Sequence, residues 1–434
     1  ATYSGWRGSI MVAINQLLCW DQYFAIGGAL RHVSFDATPG TMNCANFPAS
    51  VSTAPVQAME ISLYPTYNVL SKMIFSDTKM REDIMCIGGT SQWPATIFRG
   101  TDQWGDPFGY LLVDPIGGAI GAFSDGDGIS TGGQSRTPIC KLPNIEHTEQ
   151  TFPLLFLYRK EVIDSGGAGK FRGGMSAESC FIPHGTENIT HDTLSSGNAI
   201  PTSTGMMGGY PGAVNVYKFQ RESNIGEMFN KSTLPADIAE VGGREEILGL
   251  RQQNFNQKAS DVYSVLWTGA GGFGDPLERD PVLVAFDVTE NMAVSIQAAK
   301  QIYGVVMAND GTCDVNATQA LRSQLHQERM KHPRGENAPA LRQLSGKKLQ
   351  QPTANLCVRL DSEAPPNERK RWSCVSCATD LGSVKENYKH GCALQTLPIT
   401  ASNPHVGDYL RYIDDEPVFR QFFCPGCGRL IENE

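Results

Sequence analysis

Four cysteines near the end of the chain have the types and spacing that metal binding needs. "WSCVSC" places Cys374 and Cys377 around a two-residue turn, and "FFCPGC" does the same for Cys424 and Cys427. Each C-x-x-C loop lets two thiolates hold one ion while backbone N–H groups of the turn point at sulfur. Two such loops make a tetrahedral four-thiolate site, and structural zinc is the first expectation. The 46 residues between Cys377 and Cys424 exceed the commonest spacing of about 15 to 20, so a substantial insertion lies between the loops. Four thiolates leave no open coordination position, so the ion should hold a fold together and do no chemistry. Iron in a rubredoxin-like site uses the same ligands, and spacing leaves that alternative open. A thioredoxin-like redox pair needs one C-x-x-C opening a helix after a strand, whereas "CPGCG" runs into Gly428. Cys392 and His405 lie between the loops as candidate replacement ligands, although a lone histidine is more often surface or core.

No other motif carries chemistry this clearly. "TGAGGFGDP" has Gly269, Gly271 and Gly274 at dinucleotide-fingerprint spacing, but Asp275-Pro276 makes a turn where a long helix should open. "GGAGKFRGG" sets Lys170 and Arg172 among glycines, yet no Ser or Thr follows Lys170 as a P-loop requires. "SDGDG" at 124–128 lacks the remaining ligands of a calcium loop. "GISTG" makes Ser130 a candidate nucleophile, but turn-like segments flank it where a nucleophile elbow needs a strand and a helix. His32, His147, His184 and His191 show no metal-type spacing. No catalytic residue can be named.

The elements that must position the thiols follow from bulk properties. The length of 434 residues fits two or three domains, and 41% hydrophobic residues fill ordinary cores. A net charge of -9 argues against a nucleic-acid partner. Forty-five clustered glycines point to many tight turns. "GSIMVAINQLLCWDQYFAIGGAL" is too interrupted by polar residues for a membrane span and lacks signal-peptide flanks. Ile10, Ile14, Leu17 and Leu18 predict a helix there, with Gly27-Gly28 as its stop. Eight further cysteines (Cys19, Cys44, Cys86, Cys140, Cys180, Cys313, Cys357 and Cys392) are scattered singly, which suits a reducing compartment, the cytoplasm.

Residues 1–310 are Gly-rich with short β-like runs such as "PLLFLY" and "SVLWT", ending in a helix candidate at "SIQAAKQIYGVVM". Residues 311–365 read as an exposed helix, "NATQALRSQLHQERMKHP" ended by Pro333, followed by a polar linker. Residues 366–434 carry all four paired cysteines. The expected class is α+β, mainly β with helices, plus a small C-terminal zinc-ribbon-like module.

Several glycine phrases in order then carry a resemblance: "PGTMNCANFPASV", "VIDSGGAGKFRGGMSAE", "GGYPGAVN" and "GAGGFGDPLERDPVLVAFDV". Residues 1 to about 310 resemble the C-terminal half of the hydantoinase B family, the large subunits of ATP-dependent hydantoinases, oxoprolinases and ketone carboxylases. Cys44 in "GTMNCA" looks more like the acetone and acetophenone carboxylase branch, and the terminal "CPGCG" segment is similar to a small subunit of those enzymes. The resemblance implies biotin-independent, ATP-driven carboxylation of a ketone with bicarbonate through phosphorylated intermediates. It also implies a hydantoinase-A-like partner for the nucleotide, with a divalent metal (Mg or Mn). Because the chain starts at "ATYSGWRG", inside the family domain, the carboxylates and histidines of the family's N-terminal half are expected either on another chain or, if this sequence is a fragment or split subunit, on the part it lacks. His32 and Asp36 are read as structural before any place in an active-site wall. Ring-opening amidohydrolysis and a non-catalytic scaffold role are the alternatives.

Overall fold

A computed structural model describes residues 1–21, 26–51, 54–83, 94–134, 137–138 and 142–434. Cys86 and Cys140 lie outside the described residues. The helix Tyr3–Leu18 is N-capped by Thr2, whose side-chain oxygen accepts from the Gly5 N–H at 3.1 Å. It packs on the helix Ala54–Ser76 through Ala13, Leu17, Leu63, Tyr67 and Ile74. This first helix stops at Cys19 and not at Gly27-Gly28, which fall in the separate short helix Ile26–Ala29. Leu17 is the last buried residue of this helix, and the Cys19 N–H caps it by donating to Asn15 O.

Two antiparallel sheets build the large core. One runs in the order Arg251–Lys258, Asn188–Leu194, Ala95–Thr101, Pro107–Leu111. The other runs Leu154–Glu161, Ala177–Pro183, Val262–Leu266, Val216–Arg221, Arg244–Ile247. Phe98, Ile189 and Phe255 from the first meet Phe181, Phe219 and Tyr263 from the second in one apolar cluster. Both runs read as β-like, 153–158 and 264–268, lie largely in the second sheet.

His191 sits inside that cluster, fully buried among the rings of Phe98, Phe219, Phe255 and Tyr263. The Gln257 amide nitrogen donates to the Phe181 and Asp261 carbonyls. Its oxygen therefore accepts from His191 Nε2 at 2.8 Å. Burial lowers the imidazole pKa to about 3, against the opposing pull of the Gln257 bond. A folded-state pKa below the unfolded one means the unfolded chain takes up the proton first. The neutral-imidazole contribution is thus complete above about pH 6.5 and is lost as pH falls towards 3, amounting to about 2 kcal/mol by pH 5. Urea unfolding at pH 7.5 and pH 5.0 should show this loss in the wild type and a flatter dependence in His191→Phe. Equal pH dependence in both proteins would refute it.

Three glycine-rich loops, around residues 162–176, 203–215 and 267–276, interleave backbone against backbone. Gly167 N–H donates to Ala270 O at 2.7 Å, Ala213 N–H to Ser165 O at 2.8 Å and Gly272 N–H to Tyr210 O at 3.0 Å. A Cβ on Gly269 would overlap the Ser165 carbonyl, and one on Gly173 the Ala270 carbonyl. The glycines thus serve close packing. Arg172 belongs to a buried ion network beside these loops. Arg279 bonds Asp127 at 2.6 and 2.7 Å and Asp287 at 2.6 Å, while Arg172 lies 3.6 Å from Asp287. Asp127 of "SDGDG" is therefore an ion-pair partner. Burial works against its charge, but the Arg279 bonds hold its carboxyl below the usual range.

The helix candidate near 300 is short, Ile296–Gln301, capped by Ser295. The next helix, Val315–Met330, is half-buried at Leu321, Leu325 and Met330 and ends at Lys331. Arg322 ties it to the Tyr303 and Arg279 carbonyls. Part of the stretch read as linker is sheet. Lys348–Gln350 and Leu356–Leu360 pair ahead of Lys370–Cys374 and Asp380–Ser383. A last sheet contains Ala393–Pro398, Val418–Phe423 and Leu430–Asn433. Among the described residues no helix is long and apolar enough to cross a membrane.

Candidate metal centre

The two C-x-x-C loops close two different sheets. Cys374 ends one strand of the four-stranded terminal sheet, and the chain turns through Cys377 into Asp380–Ser383. Cys424 follows Val418–Phe423, and the chain turns through Cys427 into Leu430–Asn433. Both turns close alike: Ala378 N–H donates to Cys374 O at 3.0 Å and Gly428 N–H to Cys424 O at 2.8 Å. The residue after each second cysteine has positive φ, 58° at Ala378 and 71° at Gly428. Gly428 also runs against the His326 carbonyl of the preceding helix, where a Cβ would clash.

The four sulfurs all lie within 4.8 Å of one another. Cys374 Sγ is 3.8 Å from Cys427 Sγ, and Cys377 Sγ is 3.5 Å from Cys424 Sγ. A tetrahedron with metal–sulfur bonds of about 2.3 Å needs sulfurs about 3.8 Å apart, so the arrangement fits a zinc ion. The chemistry of the set agrees. Four thiolates this close repel one another without a cation between them. Thr379 Oγ1 lies 3.0 Å from Cys377 Sγ, a further polar contact to that sulfur.

The two candidate replacement ligands stay outside the cluster. Cys392 is buried in the apolar core beside it, its thiol pushed up to about 12 by burial. His405 instead donates from Nε2 to Ile163 O at 2.7 Å, far along the chain. Ser130 is a loop serine whose hydroxyl oxygen accepts from the Met175 N–H. Lys170 is exposed, with its ammonium over the Phe171 ring. His32 and Asp36 lie on an exposed stretch outside any helix or strand.

The cysteine-bearing part is docked on the glycine loops. Asn433 Nδ2 donates to the Gly208 and Gly209 carbonyls, and Asn355 Nδ2 to Met207 O at 2.6 Å. Leu430 N–H and Arg329 both reach the buried Asp275 carboxylate, at 2.8 and 2.7 Å. Tyr210 packs against Phe419 and hydrogen-bonds Gln421. The second cysteine loop is thus continuous with the bonds that seat it on the large core. A different polar group, Lys160 with Glu178 and Ser264, converges from three strands of the five-stranded sheet. Sequence spacing holds no signal for it, because sheet pairing alone brings those positions together.

Residues 1–276 match the family described as Hydantoinase B/oxoprolinase. The chain belongs to the hydantoinase B/oxoprolinase family. Residues 354–434 match a second description, acetone carboxylase gamma subunit. The chain is 26% identical over 295 residues to the acetophenone carboxylase delta subunit of Aromatoleum aromaticum, covering 65% of this chain and 43% of that protein. Its end is 38% identical over 68 residues to the acetophenone carboxylase beta subunit of that organism, covering 15% of this chain and 53% of that subunit. It is also 33% identical over 180 residues to the caprolactamase subunit beta of Pseudomonas jessenii, covering 42% of this chain and 28% of that subunit. A nucleotide-free acetone carboxylase structure shares the fold with a TM-score of 0.68 at 23% identity, covering 78% of this chain and 46% of that one. The hydantoinase B member described here thus spans less than half the length of its large relatives.

Proposed function

We propose that the chain is a subunit of a biotin-independent, ATP-dependent ketone carboxylase of the acetone or acetophenone type. The observation that carries this reading is the union, in one chain, of a hydantoinase B domain and a segment matching the acetone carboxylase gamma subunit. Either match alone fits several chemistries. Together they fit the ketone carboxylases.

In this reading Cys374, Cys377, Cys424 and Cys427 hold one structural zinc ion, which supplies cross-linking and no chemistry because its shell is closed. The large domain extends to about residue 310, the helix and connecting stretch span 311–365, and the metal module covers 366–434, fed by the strands at 348–360. A hydantoinase-A-like subunit binds ATP. A chain carrying the N-terminal half of the family domain supplies the remaining carboxylates and histidines with a divalent metal. The ketone α-carbon is a poor nucleophile and bicarbonate a poor electrophile, so phosphorylation of both oxygens is what the complex must achieve. The free thiols suit the cytoplasm.

The caprolactamase relative favours a second reading, ATP-driven ring opening of a lactam. Affinity purification of the tagged chain from its own cells, followed by assay of the complex, separates the two. The carboxylase reading expects a large nucleotide-binding partner and ketone-stimulated ATP hydrolysis that needs bicarbonate. Lactam-stimulated hydrolysis indifferent to bicarbonate would replace it with the second.

A further inference from the structure

We infer that Thr379 is a positioning residue for the four-sulfur site, its hydroxyl holding the Cys377 sulfur in place and shielding it from electrophiles. The inference rests on the reading of Cys374, Cys377, Cys424 and Cys427 as ligands of one zinc ion. The zinc content of the chain tests that reading separately.

The four cysteines are not equivalent. Cys374 and Cys424 are buried, whereas Cys377 and Cys427, the second cysteine of each loop, are half-buried. A reagent in solution therefore meets the site through Cys377 or Cys427. Cys377 Sγ has the Thr379 hydroxyl 3.0 Å away. A thiolate that binds a metal has lost its proton, so the hydroxyl is the donor. Thr379 is 1% exposed, so water does not compete for that hydrogen bond. A hydroxyl aimed at an ionised acceptor makes a charge-assisted bond, roughly twice as strong as a neutral one. It also draws charge from the sulfur and makes it a poorer nucleophile. The Cys427 sulfur meets Cys374 Sγ at 3.8 Å and no hydroxyl among the described residues.

The surroundings leave that hydroxyl little choice. Cys374 N–H donates to Thr379 O at 3.0 Å, and Thr379 pairs with Gln343 in an isolated bridge. These bonds fix its backbone. Gly426, from the second loop, then covers the side chain. A Cβ there would stand 2.0 Å from Thr379 Oγ1 and 3.1 Å from Thr379 Cβ. Gly426 has no positive φ, unlike Gly428, so the glycine answers a need for space and not for conformation. Thr379 is thus held between the loops: its oxygen meets a sulfur of one, and the other roofs its bulk. Outer contacts of this kind orient metal ligands and tune the metal.

The test compares the full chain with Thr379→Val, which keeps the shape, and Thr379→Ser, which keeps the hydroxyl. Atomic emission on the wild type comes first: about one zinc per chain supports the ligand reading, and none overturns it together with the inference. With zinc bound, release to a chelator is followed under limiting iodoacetamide, which forms a sulfur–carbon bond as iodide leaves. Thr379→Val should release zinc at least about tenfold faster than the wild type, and Thr379→Ser should match the wild type. Mass spectrometry should place the first label within the site on Cys427 in the wild type, and equally on Cys377 and Cys427 in Thr379→Val. In the cobalt-substituted protein the sulfur-to-cobalt absorption should move to longer wavelength in Thr379→Val and stay in place in Thr379→Ser. Circular dichroism checks folding, and Thr379→Ala, which removes the hydroxyl without adding bulk, must follow Thr379→Val. A zinc-loaded Thr379→Val with wild-type release and labelling overturns the inference alone. So does Thr379→Ser behaving as Thr379→Val, which would make the contact one of packing.

Discussion

Cys424→Ser will empty the four-sulfur site and loosen the last part of the chain from the large core. The expected size is large because, in the proposed reading, one ion joins two sheets that share only a small core. Leu356, Leu381, Phe422 and Ile431 are the apolar residues buried beside the cysteines. Structural zinc sites contribute apparent binding free energies of about 10–16 kcal/mol, so losing one of four ligands should cost the module most of its stability. The loss propagates because Leu430 and Arg429, just beyond the second loop, bond Asp275 and Glu278 on the glycine-loop side. Atomic emission should find about one zinc per wild-type chain and almost none in the variant. Limited proteolysis should cut the variant after residue 331 while sparing the wild type. A variant that keeps its metal and resists protease equally would refute the structural role.

Gly269→Ala and Gly173→Ala should be nearly as damaging, through backbone overlap. At both positions the added methyl meets a carbonyl of another loop, and carbonyls within a hydrogen-bonded backbone lattice have no rotamer to change. Each should cost more than about 4 kcal/mol or prevent accumulation of folded protein, the range reserved for severe overpacking. Gly8→Ala is the contrast: it sits exposed within the helix Tyr3–Leu18 with nothing within 4 Å of its Cβ position. That change should be neutral or stabilising by up to about 1 kcal/mol. Denaturant titration of the three variants distinguishes the cases, and a mild effect at Gly269 would mean the loops are not locked together.

Those two predictions mark what the sequence made legible. The four-cysteine cluster is legible because a C-x-x-C loop is local, depending on two residues and a turn. The glycine phrases were readable as turns. Their mutual packing was not, because Ser165 meets Gly269 only after about a hundred intervening residues have folded. The strands Lys348–Gln350 and Leu356–Leu360 lie in a stretch whose composition suits a linker. Lys348–Gln350 is exposed at every position, so it shows no alternation to mark it as a strand. The first helix ends at Cys19, ahead of Gly27-Gly28, which belong to a separate short helix. The trio Lys160, Glu178 and Ser264 carried no spacing signal, since antiparallel pairing assembles it from strands far apart in sequence.

The reaction depends on what the two joined parts do together. The most direct measurement is incorporation of labelled bicarbonate by the complex purified through this chain, with ATP and either acetone or acetophenone. The carboxylase reading predicts label in a non-volatile keto acid, dependent on ATP and on the ketone together. Absence of label from a complex that hydrolyses ATP when given a lactam would contradict it.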